Sequence, residues 1–163
     1  MKKIGLLSDT HSYLHPLVFS HFEKVDEIWH AGDIGNPALA DELEAFKPFR
    51  AVYGNVDGAE VRIRYPEDLL FTLEGVKVWM THIGGYPGRY APRVRPLIRQ
   101  YLPHLFICGH SHILKVMPDK QLNLLHINPG ACGQQGWHKV KTLVRFDIGG
   151  GRVHNLEVIE LPK

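Results

Sequence analysis

Five short apolar runs, each stopping at a polar residue able to bind a metal, constrain this chain more than any other feature of its sequence. Ile4–Ser8 runs into Asp9-Thr10-His11, Glu27–His30 into Gly32-Asp33, and Arg50–Tyr53 into Gly54-Asn55. Later, Val76–Thr81 ends at His82 and Leu105–Cys108 at Gly109-His110-Ser111-His112. Runs of this length, bounded by Gly, Asp and Asn, read as buried strands entering loops. Between the first three lie segments with helical spacing. Pro16–Lys24 carries Leu17, Val18 and Phe22, and Pro37–Phe46 sets Leu39, Leu43 and Phe46 on one face opposite Asp41, Glu42 and Glu44. Strand, helix, strand, helix, strand predicts βαβ units and a largely parallel sheet. In such sheets a site gathers outside the carboxyl ends of the strands, where these loops meet.

The second half is richer in strands. Leu69–Leu73 and Val76–Thr81 flank Glu74-Gly75 as a hairpin, and Pro92–Tyr101 reads as a helix. Leu114–Met117 and Leu122–Ile127 sit on either side of a turn at Pro118-Asp119-Lys120. Thr142–Ile148 and Arg152–Ile159 close a hairpin around three glycines. The expectation is two packed sheets with helices outside. With 163 residues and no Pro/Gly/Ser-rich linker or repeat, the chain is expected to form one domain over residues 1–163.

Composition excludes several classes. The net charge of +2 is too small to indicate nucleic acid or a membrane surface, and no stretch of about 18 apolar residues occurs. The apolar start stops at Asp9, too early for a signal peptide, so a cytoplasmic location is expected. Cys108 and Cys132 form no CxxC pair, and Cys108 reads as a small buried apolar residue. Trp29, Trp79 and Trp137 read as core rather than as base-stacking platforms. Homo-oligomerisation is left open.

Chemistry lies in the ordered set of strand-end residues. Taken singly, Asp9 or Asp33 reads as a helix cap, Asn55 as a turn residue and His82 as a core or surface histidine. Seven such residues at five strand ends are hard to reconcile with those separate roles. On extended backbone, residues i and i+2 point the same way, so Asp9 with His11, and His110 with His112, are expected to aim in pairs. Carboxylate, amide and imidazole donors without thiolates suit Mn²⁺, Fe, Zn²⁺ or similar ions rather than a structural zinc or a calcium site.

The segments Asp9-Thr10-His11, Gly32-Asp33, Gly54-Asn55, Thr81-His82 and Gly109-His110-Ser111-His112, with Asn128-Pro129-Gly130 after them, resemble the calcineurin-like metallophosphoesterases. Chain length and spacing are most similar to the small single-domain phosphodiesterases among them. The resemblance implies an α/β fold, a four-layer αββα sandwich of two mixed β-sheets flanked by helices. It also implies two divalent cations, with Mn²⁺ the first choice and Fe, Zn²⁺, Ni²⁺ or Mg²⁺ as alternatives. Asp9, His11, Asp33 and His112 would hold one metal, and Asp33, Asn55, His82 and His110 the other, with Asp33 as the bridge. The implied reaction is hydrolysis of a small phosphate ester by a hydroxide formed between the metals, with Asp33, Asn55 and His82 as the catalytic set.

Two positions depart from the family pattern. Val56 stands where many members carry a histidine that protonates the leaving group, so the general acid is unassigned. Asp57 is in reach by sequence but reads better as a turn residue beside Gly58. After His82 the Gly/Pro-rich stretch to Tyr90 lacks a further histidine and reads as a long loop. Arg89 within it and Arg93, Arg95 and Arg99 after it make the region locally basic and suit either phosphate recognition or an ordinary solvated face. Phosphodiesterase is the leading expectation. A phosphomonoesterase with the same site, a nuclease, or a non-catalytic scaffold of this fold such as the one in the retromer complex are the alternatives.

Overall fold

The structure, a computed structural model, describes residues 1–162. Sheet A has the order β12-β11-β1-β2-β3. Its strands are β1 (Lys2–Leu7), β2 (Glu27–His30), β3 (Phe49–Ala51), β11 (Lys141–Gly149) and β12 (Arg152–Leu161). Strands β1, β2 and β3 are parallel, with antiparallel β11 and β12 on the other side. Sheet B has the order β4-β5-β8-β10-β9, built from β4 (Asp68–Leu73), β5 (Val76–Thr81), β8 (Leu105–Ile107), β9 (Lys115–Asp119) and β10 (Leu124–Asn128). Here β5, β8 and β10 are parallel, and β4 and β9 are antiparallel edges. The helices are α1 (Leu17–His21), α2 (Pro37–Phe46), α3 (Ala59–Arg64) and α4 (Val94–Tyr101). None is long and apolar enough to cross a membrane.

Alternation along the strands sorts the side chains into layers. Ile4 and Leu6 of β1, Trp29 of β2, Val78 and Met80 of β5 and Leu105 and Ile107 of β8 fill one core between the sheets. The intervening residues face outward. Leu7 and Ile28 pack with Val18, Phe22 and Leu43 under the helices of sheet A. Trp79 and Phe106 pack with Val94 and Ile98 of α4. Both faces of the central strands are therefore covered, which is why they read as unbroken apolar runs. The four layers match the expected αββα sandwich.

Four local expectations change. Pro118 and Asp119 belong to β9, and the turn falls at residues 120–123. Proline is tolerated there because β9 is an edge strand. The loop after His82 contains a short hairpin, β6 (Gly85–Tyr86) with β7 (Arg89–Tyr90). Helix α3 was not expected; six residues beginning after Gly58 are too few to show a helical period. Trp29 and Trp79 are core, as read, but Trp137 is fully exposed. It sits in an irregular segment with no strand or helix partner to cover it.

Candidate metal centre

The loops leaving β1, β2, β3, β5 and β8 are tied together before any ligand is considered. The amide of Asp9 donates to the Gly32 carbonyl, that of His11 to Asp33 and that of Ser12 to Ile34, all at about 3 Å. Within sheet B the Gly109 amide donates to the His82 carbonyl at 2.9 Å, and across the two sheets the His82 Nδ1–H donates to the Ala31 carbonyl at 2.7 Å. That second bond fixes the tautomer of His82 and leaves its Nε2 lone pair facing the site.

All seven sequence-predicted residues meet here. One ligand atom each from Asp9, His11 and His112 lies within 4.8 Å of the others, and the same holds for Asp33, His82 and His110. Asn55 joins the second group, its Oδ1 lying 3.0 Å from His110 Nδ1. Asp33 stands between the groups, with Oδ2 at 3.1 Å from His82 Nε2 and 3.6 Å from His11 Nε2. Asp9 Oδ1 faces His112, His82 and His11 at 3.3, 3.7 and 3.8 Å. The pairing within each motif is only half as expected. Asp9 and His11 share a group, but His110 and His112 fall in different groups. Neither motif is extended: φ is positive at Asp9, His11, Asp33, His110 and His112. Left-handed backbone at residues carrying a Cβ is uncommon and is tolerated where surrounding bonds enforce it.

Those bonds come from residues that the strand-end pattern does not reveal. The amide of Gly32 donates to His30 Nδ1, so Nε2 carries the proton and donates to Thr10 Oγ1 at 3.0 Å. The Thr10 hydroxyl passes on to the Ile34 carbonyl. Asp57 is buried and accepts from the amides of Gly54, Gly35 and Ile34. It clamps the Asp33 and Asn55 loops together, which makes it a structural residue, as read, and no candidate for the missing acid. Asn128 donates to the Gly109 carbonyl and to Ser111 Oγ, bracing the His110-Ser111-His112 loop. Gly54 has no room for a side chain, since a Cβ would stand against Asp33 Oδ1. The roles of His30 and Thr10 depend on which loops become neighbours, and nothing in local spacing signals that.

The remaining carboxylate oxygens are held from behind. Asp9 Oδ2 accepts from Ser8 Oγ at 2.7 Å and from the His110 amide at 3.1 Å. Asp33 Oδ1 accepts from the Val56 amide at 3.0 Å. Burial works against charge on Asp9, but His11, His112 and His82 outweigh it and hold the carboxyl well below the ordinary range. Asp33 is also lowered: burial is overcome chiefly by His82 and the Val56 amide. His11 is raised, first by its contact with Asp9. His82 is raised because Asp33 and Asp9 outweigh its burial. Asp9 Oδ1, His11 Nε2 and His82 Nε2 are buried yet make no hydrogen bond. Buried polar atoms without partners are costly, and here three converge beside two carboxylates that favour positive charge. This donor set fits divalent cations.

Beside Asn55 and His82 opens a cleft of about 500 Å³, lined by Tyr53, Arg62, Glu67, Ile83, Pro92 and Arg93. Of the four arginines singled out in the sequence, Arg93 alone lines it, paired with Asp68 and Glu67. Arg95 donates to the Tyr90 carbonyl and, with Arg99, borders a different cleft. Arg62, from the unexpected α3, lies over Tyr53 at 4.5 Å and donates to the carbonyls of Asp57 and Asn55.

Residues 1–151 match the family model of the calcineurin-like phosphoesterase superfamily domain. Over 135 residues the chain is 33% identical to a Methanothermobacter thermautotrophicus protein named "Probable metallophosphoesterase", covering 78% of this chain and 76% of that one. It is 26% identical over 149 residues to a protein of Methanocaldococcus jannaschii named a phosphodiesterase, covering 80% and 84%. The fold is similar to that of Vps29 from Chaetomium thermophilum, with a TM-score of 0.77 at 14% identity, over 99% of this chain and 97% of that one. The αββα sandwich, the matched family model and a relative at 33% identity agree: the chain belongs to the calcineurin-like phosphoesterase superfamily.

Proposed function

We propose that the protein is a divalent-metal-dependent phosphodiesterase. The observation that carries this reading is the convergence of Asp9 Oδ1, His11 Nε2 and His82 Nε2, buried and without hydrogen bonds, on two groups of ligand atoms joined through Asp33. Asp9, His11, Asp33 and His112 would hold one cation and Asp33, Asn55, His82 and His110 the other, with Mn²⁺ the first choice. A pair of such ions supplies Lewis acidity toward phosphoryl oxygens and lowers the pKa of water to near neutrality.

The chain's own residues supply position and charge. Asp33 and Asp9 stay ionised at neutral pH and keep the site receptive to cations. The His82 Nδ1–H bond to Ala31 keeps Nε2 turned inward. The cleft beside Asn55 and His82 gives room for one ester substituent, with Tyr53, Ile83 and Pro92 as apolar walls and Arg62 and Arg93 at its margin. Val56 offers only its amide, already given to Asp33. With no side chain there to protonate a departing oxygen, the site favours diesters with good leaving groups.

The test uses purified protein stripped with EDTA and reloaded with Mn²⁺. Bis(4-nitrophenyl) phosphate should be hydrolysed faster than 4-nitrophenyl phosphate. Asp33→Asn should lower kcat/KM by at least roughly 100-fold while the protein still elutes as folded. Equal hydrolysis by the Asp33 variant would refute the metal mechanism, and a preference for the monoester would move the reading to a phosphomonoesterase.

A further inference from the structure

The tryptophans divide sharply, with Trp29 and Trp79 wholly buried and Trp137 wholly exposed. A fully solvated indole is unusual because so much apolar surface stays in water. Its neighbours fix it at the rim of the metal centre. At the start of its segment, the Cys132 amide donates to the Ser8 carbonyl and the Gly133 amide to the Asp9 carbonyl. On one side of Trp137, Gly136 (φ +124°) lies so close to His112 that a side chain there would run into the imidazole. On the other side, the His138 ring packs edge-on to His112 at 5.4 Å between centroids, with Nε2 bonded to the Gly133 carbonyl. Both residues flanking Trp137 therefore touch a residue of the Asp9/His11/His112 group.

The charge around this segment has one sign. Gly133, Gln134, His138, Lys139 and Lys141 line a cleft of about 420 Å³. Neither lysine takes part in an ion pair among the described residues, and Lys141 Nζ lies 5.8 Å from the Tyr13 ring centroid. No Asp or Glu occurs between Asp119 and Asp147. An exposed aromatic face beside uncompensated lysines is the combination that stacks a base and holds its phosphate.

We propose that Gly133–Lys141 is a nucleotide-recognition rim, with Trp137 stacking on a nucleobase and Lys139 and Lys141 holding its phosphate. The surface stands on its own. That a nucleotide diester is thereby delivered to the metal centre rests on the phosphodiesterase reading. The same chemistry serves a free nucleotide and a unit of a single strand.

The experiment is intrinsic fluorescence of the EDTA-stripped full chain, excited at the red edge of tryptophan absorption where adenine does not absorb. Trp29 and Trp79 are shielded, so quenching of the red-shifted emission reports Trp137. AMP should quench saturably and inorganic phosphate should not. Trp137→Leu should abolish the signal. A Lys139→Ala, Lys141→Ala double variant should keep the unliganded spectrum and bind AMP about 10-fold more weakly. Affinity rising with oligoadenylate length would identify a strand as the source, and length-independent affinity a free nucleotide. No saturable quenching by AMP or oligoadenylate would overturn the proposal. So would equal quenching by phosphate alone, or a concentration-dependent blue shift with a doubled mass, which would make Trp137 a contact between copies. Because the protein is metal-free, failure here leaves the hydrolysis reading untouched, and failure of hydrolysis leaves the binding result standing.

Discussion

At the scale of single residues, the candidate ligands are held by groups that carry no chemistry themselves. His30 joins the Gly32 amide to Thr10, and both partners would be left without it in His30→Ala. That variant should lose about 3 kcal/mol of stability, read by chemical denaturation, because it leaves a cavity and two unpartnered buried groups. Gly54→Ala should cost stability and lower kcat/KM by roughly 10–100-fold, since its methyl meets both the backbone nitrogen and the carboxylate of Asp33. Undiminished activity in that variant would show that Asp33 need not sit where it does. His126 allows a pH prediction away from the centre. It is fully buried, both ring nitrogens lack partners, and burial pushes its pKa from 6.5 down to about 4. The unfolded chain then binds a proton that the folded one refuses between these values. Its contribution is whole above pH 6.5 and is lost as pH falls toward 4, at up to about 1.4 kcal/mol per pH unit. His126→Leu should flatten that part of the stability profile.

At the scale of elements, position follows from which strands are covered on both faces. The runs Ile4–Leu7, Ile28–His30, Val78–Thr81 and Leu105–Ile107 are buried throughout, so their loops open at one end of the sandwich. That pattern was legible in the sequence, and with it the meeting of the seven candidate ligands, because a buried strand announces itself by continuous apolar residues. The partition of His110 and His112 was not legible in local spacing and entered only through the family resemblance. It depends on left-handed backbone at residues that ordinarily avoid it, and only tertiary bonds enforce that geometry. The roles of Thr10, His30 and Asn128 were hidden for the same reason. Helix α3 was too short to show a period, so Arg62 escaped notice, and Trp137 was misjudged because composition says nothing of cover. Helix α2 provides a control whose capping side chain bonds no candidate ligand. Asn36 Oδ1 accepts the Ala38 amide as its N-cap, and Asn36→Ala should cost about 1 kcal/mol with activity intact. Loss of activity in this variant would show that α2 matters to the site beyond stability.

At the scale of the whole molecule, the candidate ligands come from both sheets, so a cation bound among them would link the two halves of the sandwich. Metal at about 100 times its Kd should raise stability by roughly 2.7 kcal/mol. For a chain of this size that is a rise in Tm of about 5–10 °C, lost on adding EDTA and readable by differential scanning fluorimetry. A Tm indifferent to Mn²⁺ would argue against binding at the junction. The central claim is tested most directly by the initial rate of bis(4-nitrophenyl) phosphate hydrolysis against equivalents of Mn²⁺ added to stripped protein. A rate that stays low through the first equivalent and rises to a plateau at the second is the predicted result. Full activity with no added metal, or a plateau already at one equivalent, would contradict a reaction shared between two cations bridged by Asp33.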